Sequence, residues 1–170
     1  MGVAGSSHPK RPKKPTVGRS SPPTRGRAPS NGVSRRAESP LEFVIPSDLA
    51  ASRDVHKQIM DRVESSKYDE QSVFAIRLAL EEGLMNAIRH GNKLDARKVV
   101  YVVAKVTPKA TEIVIEDQGK GFDRSSVPDP CAHENLLKCS GRGILLMEAY
   151  MDKVDYSKGG RRVKMVKKNG

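Results

Sequence analysis

The residues best placed to do chemistry lie in the segment 81–92, EEGLMNAIRHGN. On a helix, positions four apart lie one above the other. Glu82, Asn86 and His90 therefore share a face, with Arg89 close beside them. A carboxylate, an amide and an imidazole on one face offer a proton acceptor, a neutral oxygen donor and a second base. His90 suits either an acid/base role or packing at the helix end. Val73, Ile76, Leu80, Leu84 and Ala87 fall on the opposite side and form a core-facing stripe.

Two other segments carry comparable potential. DQGKGFD, residues 117–123, leaves the end of an alternating apolar run. Its Asp117 offers one directional acceptor at a strand end, and Gly119 and Gly121 let a ligand approach the backbone closely. The same pattern is also that of a plain hairpin turn. SGRGILLM, residues 140–147, places Gly141, Arg142 and Gly143 just before an apolar helix. Uncovered amides at a helix N-terminus suit anionic phosphate, and Arg142 adds a charge-assisted donor. No G-x-x-x-x-G-K-[ST] run exists in the sequence, which excludes an ordinary P-loop.

These groups need a scaffold, and 170 residues allow one domain with a real core plus a tail. Of the net charge of +11, residues 1–40 hold +8, from nine Lys or Arg against Glu38. They also hold seven of the eleven prolines and almost no large apolar side chain. Such a stretch buries too little surface to offset its ordering entropy, so it is expected to be a disordered basic tail. Nucleic acid is expected to meet it only non-specifically, because no aromatic side chains interleave with the basic ones.

No apolar run is long enough to span a bilayer, and no secretory signal segment is recognisable. Two cysteines, Cys131 and Cys139, point to a reducing compartment rather than a disulfide framework, so a cytoplasmic protein is expected. Cys131, His133 and Cys139 lack a fourth ligand and regular spacing, which argues against a metal site.

From residue 41 onward the pattern predicts β-α-α-β-β-loop-α-β-β. LEFVI (41–45) alternates as a half-buried strand, with Ser47 or Asp48 as the cap of a helix over 49–63. Asp69 caps a second helix that runs to Gly91 and Asn92. Residues 98–106 and 111–117 form an antiparallel hairpin around Pro108. A long polar loop, 119–140, precedes a helix over 143–151, and two short strands close around Gly159-Gly160. The expected fold is α+β: a two-layer α/β sandwich with a mixed, mostly antiparallel sheet covered on one face by helices.

Taken together, the three segments resemble the N-box, G1 box and G2 box of the GHKL ATPase superfamily, over residues 41–168. The form E-x-x-x-N-A with a trailing H-G (Glu82, Asn86, Ala87, His90, Gly91) is most similar to the stand-alone anti-sigma-factor serine kinases. Sensor histidine kinases more often show Asn where Glu82 stands. The resemblance implies a Bergerat-type fold with an ATP lid made from the long loop. It implies that Asn86 holds Mg²⁺, that Asp117 accepts the adenine amino proton, and that Gly119 and Gly121 give the base room. It further implies that Gly141, Arg142 and Gly143 cover the phosphates, that Arg89 meets phosphate, and that Glu82 is the general base. Glu81 lies about 100° further round the helix and is the weaker candidate.

By the same resemblance, the protein is expected to be an Mg-ATP-dependent protein serine kinase and anti-sigma factor. Its partners would be a sigma factor and an anti-sigma-factor antagonist, and a homodimer is typical of the look-alikes. The alternatives are a non-catalytic ATP-binding adaptor and a stand-alone histidine-kinase-like ATPase with another protein target. One departure stands out. Where the family tends to place Thr after the glycine turn, this chain has Gly160-Arg161-Arg162.

Overall fold

The computed structural model describes residues 1–2, 39–123 and 142–170. Almost all of the expected basic tail (1–40) lies outside the described residues. So do Gly141 and the three residues weighed as a metal site, Cys131, His133 and Cys139. Every element below belongs to the compact unit Asn31–Gly170.

Strand β1 (Leu41–Pro46) points Leu41, Phe43 and Ile45 at the core, as its alternation predicts. Pro46 ends it and still pairs in register with Val99. Asp48, not Ser47, caps helix α1 (Leu49–Ser65) by accepting the Ala50 N–H at 3.0 Å. The α1 stripe Val55, Ile59, Met60 and Val63 is buried. Asp69 caps α2 (Glu70–Met85) by accepting the Ser72 N–H at 2.9 Å, satisfying one of the amides that a helix start leaves open.

Ile76, Leu80, Leu84 and Ala87 are buried as expected, and Val73 packs at the margin of the core. Gly83 is the point of closest approach between α2 and the sheet. A Cβ there would stand 2.7 Å from Ile115 Cδ1 and 3.3 Å from Met165 Cε. The small residue thus lets helix and sheet touch beside the segment that carries Glu82 and Asn86.

The α-helix does not run unbroken to residue 92. It ends at Met85 and widens into a π-helical turn, Asn86–Gly91. The Asn92 N–H bonds the Ala87 carbonyl, five residues back, at 2.8 Å. Wide turns of this kind are rare and often mark functional sites. The physical cause is at the far end. Asn92 is fully buried, its Nδ2 donates to the Val99 carbonyl, and its Oδ1 accepts the Gln118 N–H. The sheet therefore draws the helix terminus toward itself.

Strands β2 (Val99–Val106), β3 (Ala110–Glu116), β4 (Lys153–Ser157) and β5 (Arg162–Lys168) complete a five-stranded sheet in the order β1-β2-β3-β5-β4. Each neighbouring pair is antiparallel. The two-layer sandwich is as expected, but the anticipated mixed character is not found among the described strands. The reason is that β5 enters between β3 and β4 by antiparallel pairing on both sides.

Helix α3 (Arg142–Tyr150) buries Met147 against the same face that α1 and α2 cover. The other face carries Glu112–Lys164 and Glu116–Lys158 ion pairs together with exposed Val44 and Tyr101. No helix among the described residues is long and apolar enough to cross a membrane.

Candidate functional site

Between the end of α2, the end of β3, the start of α3 and the β4–β5 turn lies a cavity of about 330 Å³, within the range of small-molecule sites. Asn86, Asp117, Gly121 and Gly143 all contribute to its wall. Three segments far apart in sequence thus meet around one space. Ile115, Ile144, Met147, Phe122 and Tyr156 give it apolar surface, and the last two rings meet edge-on with centroids 5.4 Å apart.

Asp117 is part of this wall. Only 9% of the residue is exposed, and its Oδ1 accepts the Gly119 N–H at 2.7 Å. Burial pushes its carboxyl above the ordinary carboxylate value. The Gly119 N–H and the nearby charges of Arg161 and Lys98 pull the other way. Two glycines make room for this carboxylate. A Cβ at Gly91 would overlap it, and a Cβ at Gly119 would overlap the Gly91 carbonyl.

Gly119 packs against the Gly91 carbonyl and is not in the cavity wall. Gly121 is in the wall and has φ +77°, a backbone state that favours glycine. It stacks on the Gly159 carbonyl, which also accepts the Phe122 N–H at 3.0 Å.

Asn86, Glu82 and Gly143 gather around one another. The Asn86 Nδ2 is buried without a hydrogen-bond partner among the described residues, and no bond to its Oδ1 is present there either. This side chain is uncommitted, as a group that waits for a ligand would be. Glu82 packs its carboxylate against the Gly143 α-carbon, where a Cβ would overlap Oε2. Glu82 is not in the cavity wall but touches Gly143, which is.

His90 joins Asn86 in the wall, as their shared face predicts. Arg89 is exposed and outside the wall, because the wide turn advances fewer degrees per residue than an α-helix. Arg142 begins α3, is exposed and is likewise outside the wall. Among the described residues, no cluster of His, Cys, Asp and Glu forms a metal centre.

Sequence reasoning overlooked several contributors. Asn92 passes for a helix stop, and only its hydrogen bonds to Val99 and Gln118 reveal that it ties the site together. Gly83, Gly91 and Gly160 carry no sequence signal that distinguishes close packing from flexibility. Arg161 was noted only as a departure from a pattern, yet it lines the cavity beside Asp117.

The histidine kinase-like ATPase domain family has a model that matches residues 45–167. An anti-sigma F factor from Clostridium perfringens (strain SM101 / Type A) is 32% identical over 96 residues, covering 55% of this chain and 69% of that protein. The serine-protein kinase RsbW of Bacillus licheniformis is 31% identical over 93 residues, covering 51% of this chain and 58% of that protein. A crystal structure of RsbU and RsbW domains from Mycobacterium tuberculosis superposes with a TM-score of 0.52 at 16% identity. That match covers 77% of this chain and 31% of the other, and it speaks to the fold alone.

Proposed function

The chain belongs to the histidine kinase-like ATPase domain family, and we propose that within it the protein is an Mg-ATP-dependent protein serine kinase that acts as an anti-sigma factor. Its partners in this reading are a sigma factor, which it restrains, and a small anti-sigma-factor antagonist, which it phosphorylates in a partner switch. Relatives named anti-sigma F factor and serine-protein kinase support the assignment. One observation carries it: Asn86, Asp117, Gly121 and Gly143 wall a single cavity.

The residues fit a magnesium nucleotide. Asn86 has a side-chain oxygen and no partner among the described residues, and Mg²⁺ needs few protein ligands because it keeps several waters. The ion, when bound through Asn86, neutralises phosphate charge. Asp117 accepts a hydrogen bond from the adenine amino group, the contact that sets adenine apart from guanine. Gly121 leaves the purine space beside it.

Gly143 brings the first amides of α3 to the phosphates, with Gly141 and Arg142 at the hinge of the lid and Arg89 as an outlying cation. Glu82 receives the proton of the substrate serine hydroxyl as its oxygen attacks the γ-phosphorus and ADP departs. Such transfer depends on positioning and charge more than on covalent help from the protein.

The test is to incubate the purified full chain with labelled ATP and candidate antagonists encoded in the same genome. Label on a serine of one antagonist is the expected result. ATP binding without transfer to any of them would replace the kinase with a nucleotide-sensing adaptor.

A further inference from the structure

Arg161 is joined to Asp117 by the backbone: its carbonyl accepts the Asp117 N–H at 2.9 Å. The two residues are thereby fixed as neighbours, and both contribute to the cavity wall. The Arg161 side chain passes the backbone of Gly121, and its Nε donates to the Lys158 carbonyl at 3.0 Å. A guanidinium carries five N–H donors and no acceptor. The Nε bond anchors its base and leaves the terminal N–H groups uncommitted among the described residues. The adjacent Arg162 differs, since it reaches Glu116 at 3.5 Å.

The wall here presents an acceptor, Asp117, next to a cationic donor, Arg161, in a cavity also lined by the edge-on rings of Phe122 and Tyr156. The complementary ligand is a flat heteroaromatic ring whose edge shows a donor beside an acceptor. The amino group and ring nitrogen N1 of adenine have that order. The base, not the phosphates, is the part of the ligand this pair suits, because Arg161 is tied by its carbonyl to Asp117, while Asn86 keeps company with Gly143 at the start of α3.

We propose that Arg161 is a second base-reading group of this site, donating to adenine N1 while Asp117 accepts from the amino group. The inference rests on the nucleotide reading above. It adds a residue and a specific atom on the ligand.

The experiment measures affinity of the full chain for ATP, for 1-deaza-ATP (in which N1 becomes C–H) and for adenosine, by calorimetry. The wild type and the Arg161→Ala, Arg161→Gln and Arg162→Ala variants are compared, with folding checked by circular dichroism. Wild type should lose about ten- to a hundred-fold in affinity on replacing N1, the value of one charged hydrogen bond. Arg161→Ala should bind ATP and 1-deaza-ATP equally, and Arg162→Ala should behave as wild type. Arg161→Gln, which keeps an amide donor, should recover part of the discrimination.

Undiminished N1 discrimination in Arg161→Ala would overturn the inference while leaving the nucleotide site intact. So would a loss seen with ATP and 1-deaza-ATP alike but absent with adenosine, which marks a phosphate contact. A wild-type chain that binds neither ATP nor adenosine sinks the nucleotide reading itself.

Discussion

The α-carbon of Gly91 packs against the carboxylate of Asp117, so closely that a Cβ at Gly91 would sit 2.5 and 2.6 Å from its two oxygens. The last residue of the π-helical turn therefore fixes the position of the acceptor at the end of β3. Gly91 has no left-handed φ, so alanine is allowed by its backbone and excluded only by this contact.

Gly91→Ala should push Asp117 off its position. Overpacking of this kind costs about 1–3 kcal/mol of stability, and ATP affinity should fall at least as far as in a variant lacking the carboxylate. Urea unfolding and calorimetric titration read the two effects separately. Wild-type affinity in a folded Gly91→Ala chain would show that Asp117 is not held by this contact.

Asp117 also gives a pH signature. Burial raises its carboxyl above the ordinary value, so the folded state holds this proton more tightly than the unfolded chain. By linkage, its contribution to stability is most favourable below the unfolded-state value and declines as pH rises through the raised, folded-state value. Asp117→Asn should thus be at least as stable as wild type at neutral pH, with the difference vanishing in acid. ATP affinity should drop about ten- to a hundred-fold, the worth of a charged hydrogen bond. Thermal melts across pH, paired with ATP titrations, provide the check. A variant less stable than wild type at pH 7 and equal to it in acid would reverse the sign.

Glu82 and Gly143 form a coupled pair, since the carboxylate lies on the glycine α-carbon. Glu82→Ala should abolish phosphotransfer and leave ATP affinity within about twofold, because a base acts in the transition state and not in nucleotide binding. Gly143→Ala, whose methyl would displace the Glu82 carboxylate, should slow transfer as well. Single-turnover transfer to an antagonist separates these rates from binding. Persisting transfer in Glu82→Ala would assign the base elsewhere.

Asn92 is fully buried, with its amide bonded to the Val99 carbonyl and the Gln118 N–H at 2.9 and 2.8 Å. Asn92→Ala removes both part-buried hydrogen bonds, each worth about 0.5–1.5 kcal/mol. The π-helical turn should loosen with it, carrying Gly91 away from Asp117 and weakening ATP binding. Amide hydrogen exchange at residues 86–92 should rise relative to that of α1. Unchanged protection there would mean that the turn is held by packing alone.

Much of this was legible before any coordinates. Asp69 caps α2 because a short acceptor side chain serves the open amides of a helix start, wherever the helix later packs. The alternation of residues 41–45 and of β3 fixes which side chains face the core, since strand geometry has a period of two. The three glycine- and acid-bearing segments carry enough chemistry to suggest a common ligand.

Tertiary structure alone decided the rest. The π-helical turn ends on Asn92, which is held by Val99 of β2 and by Gln118 just past β3, and no helical periodicity encodes a pull from residues 99 and 118. That Gly91 both lines the cavity and shapes the Asp117 carboxylate, while Gly119 packs on the Gly91 carbonyl outside the wall, depends on what the folded chain brings against their α-carbons. Arg161 faces the cavity and Arg162 faces Glu116 because β5 enters the sheet between β3 and β4. Composition and spacing specify the local conformations and the kinds of groups available. Which groups meet is set by strand order and close approach, because contacts between residues distant along the chain exist only once the sheet has formed.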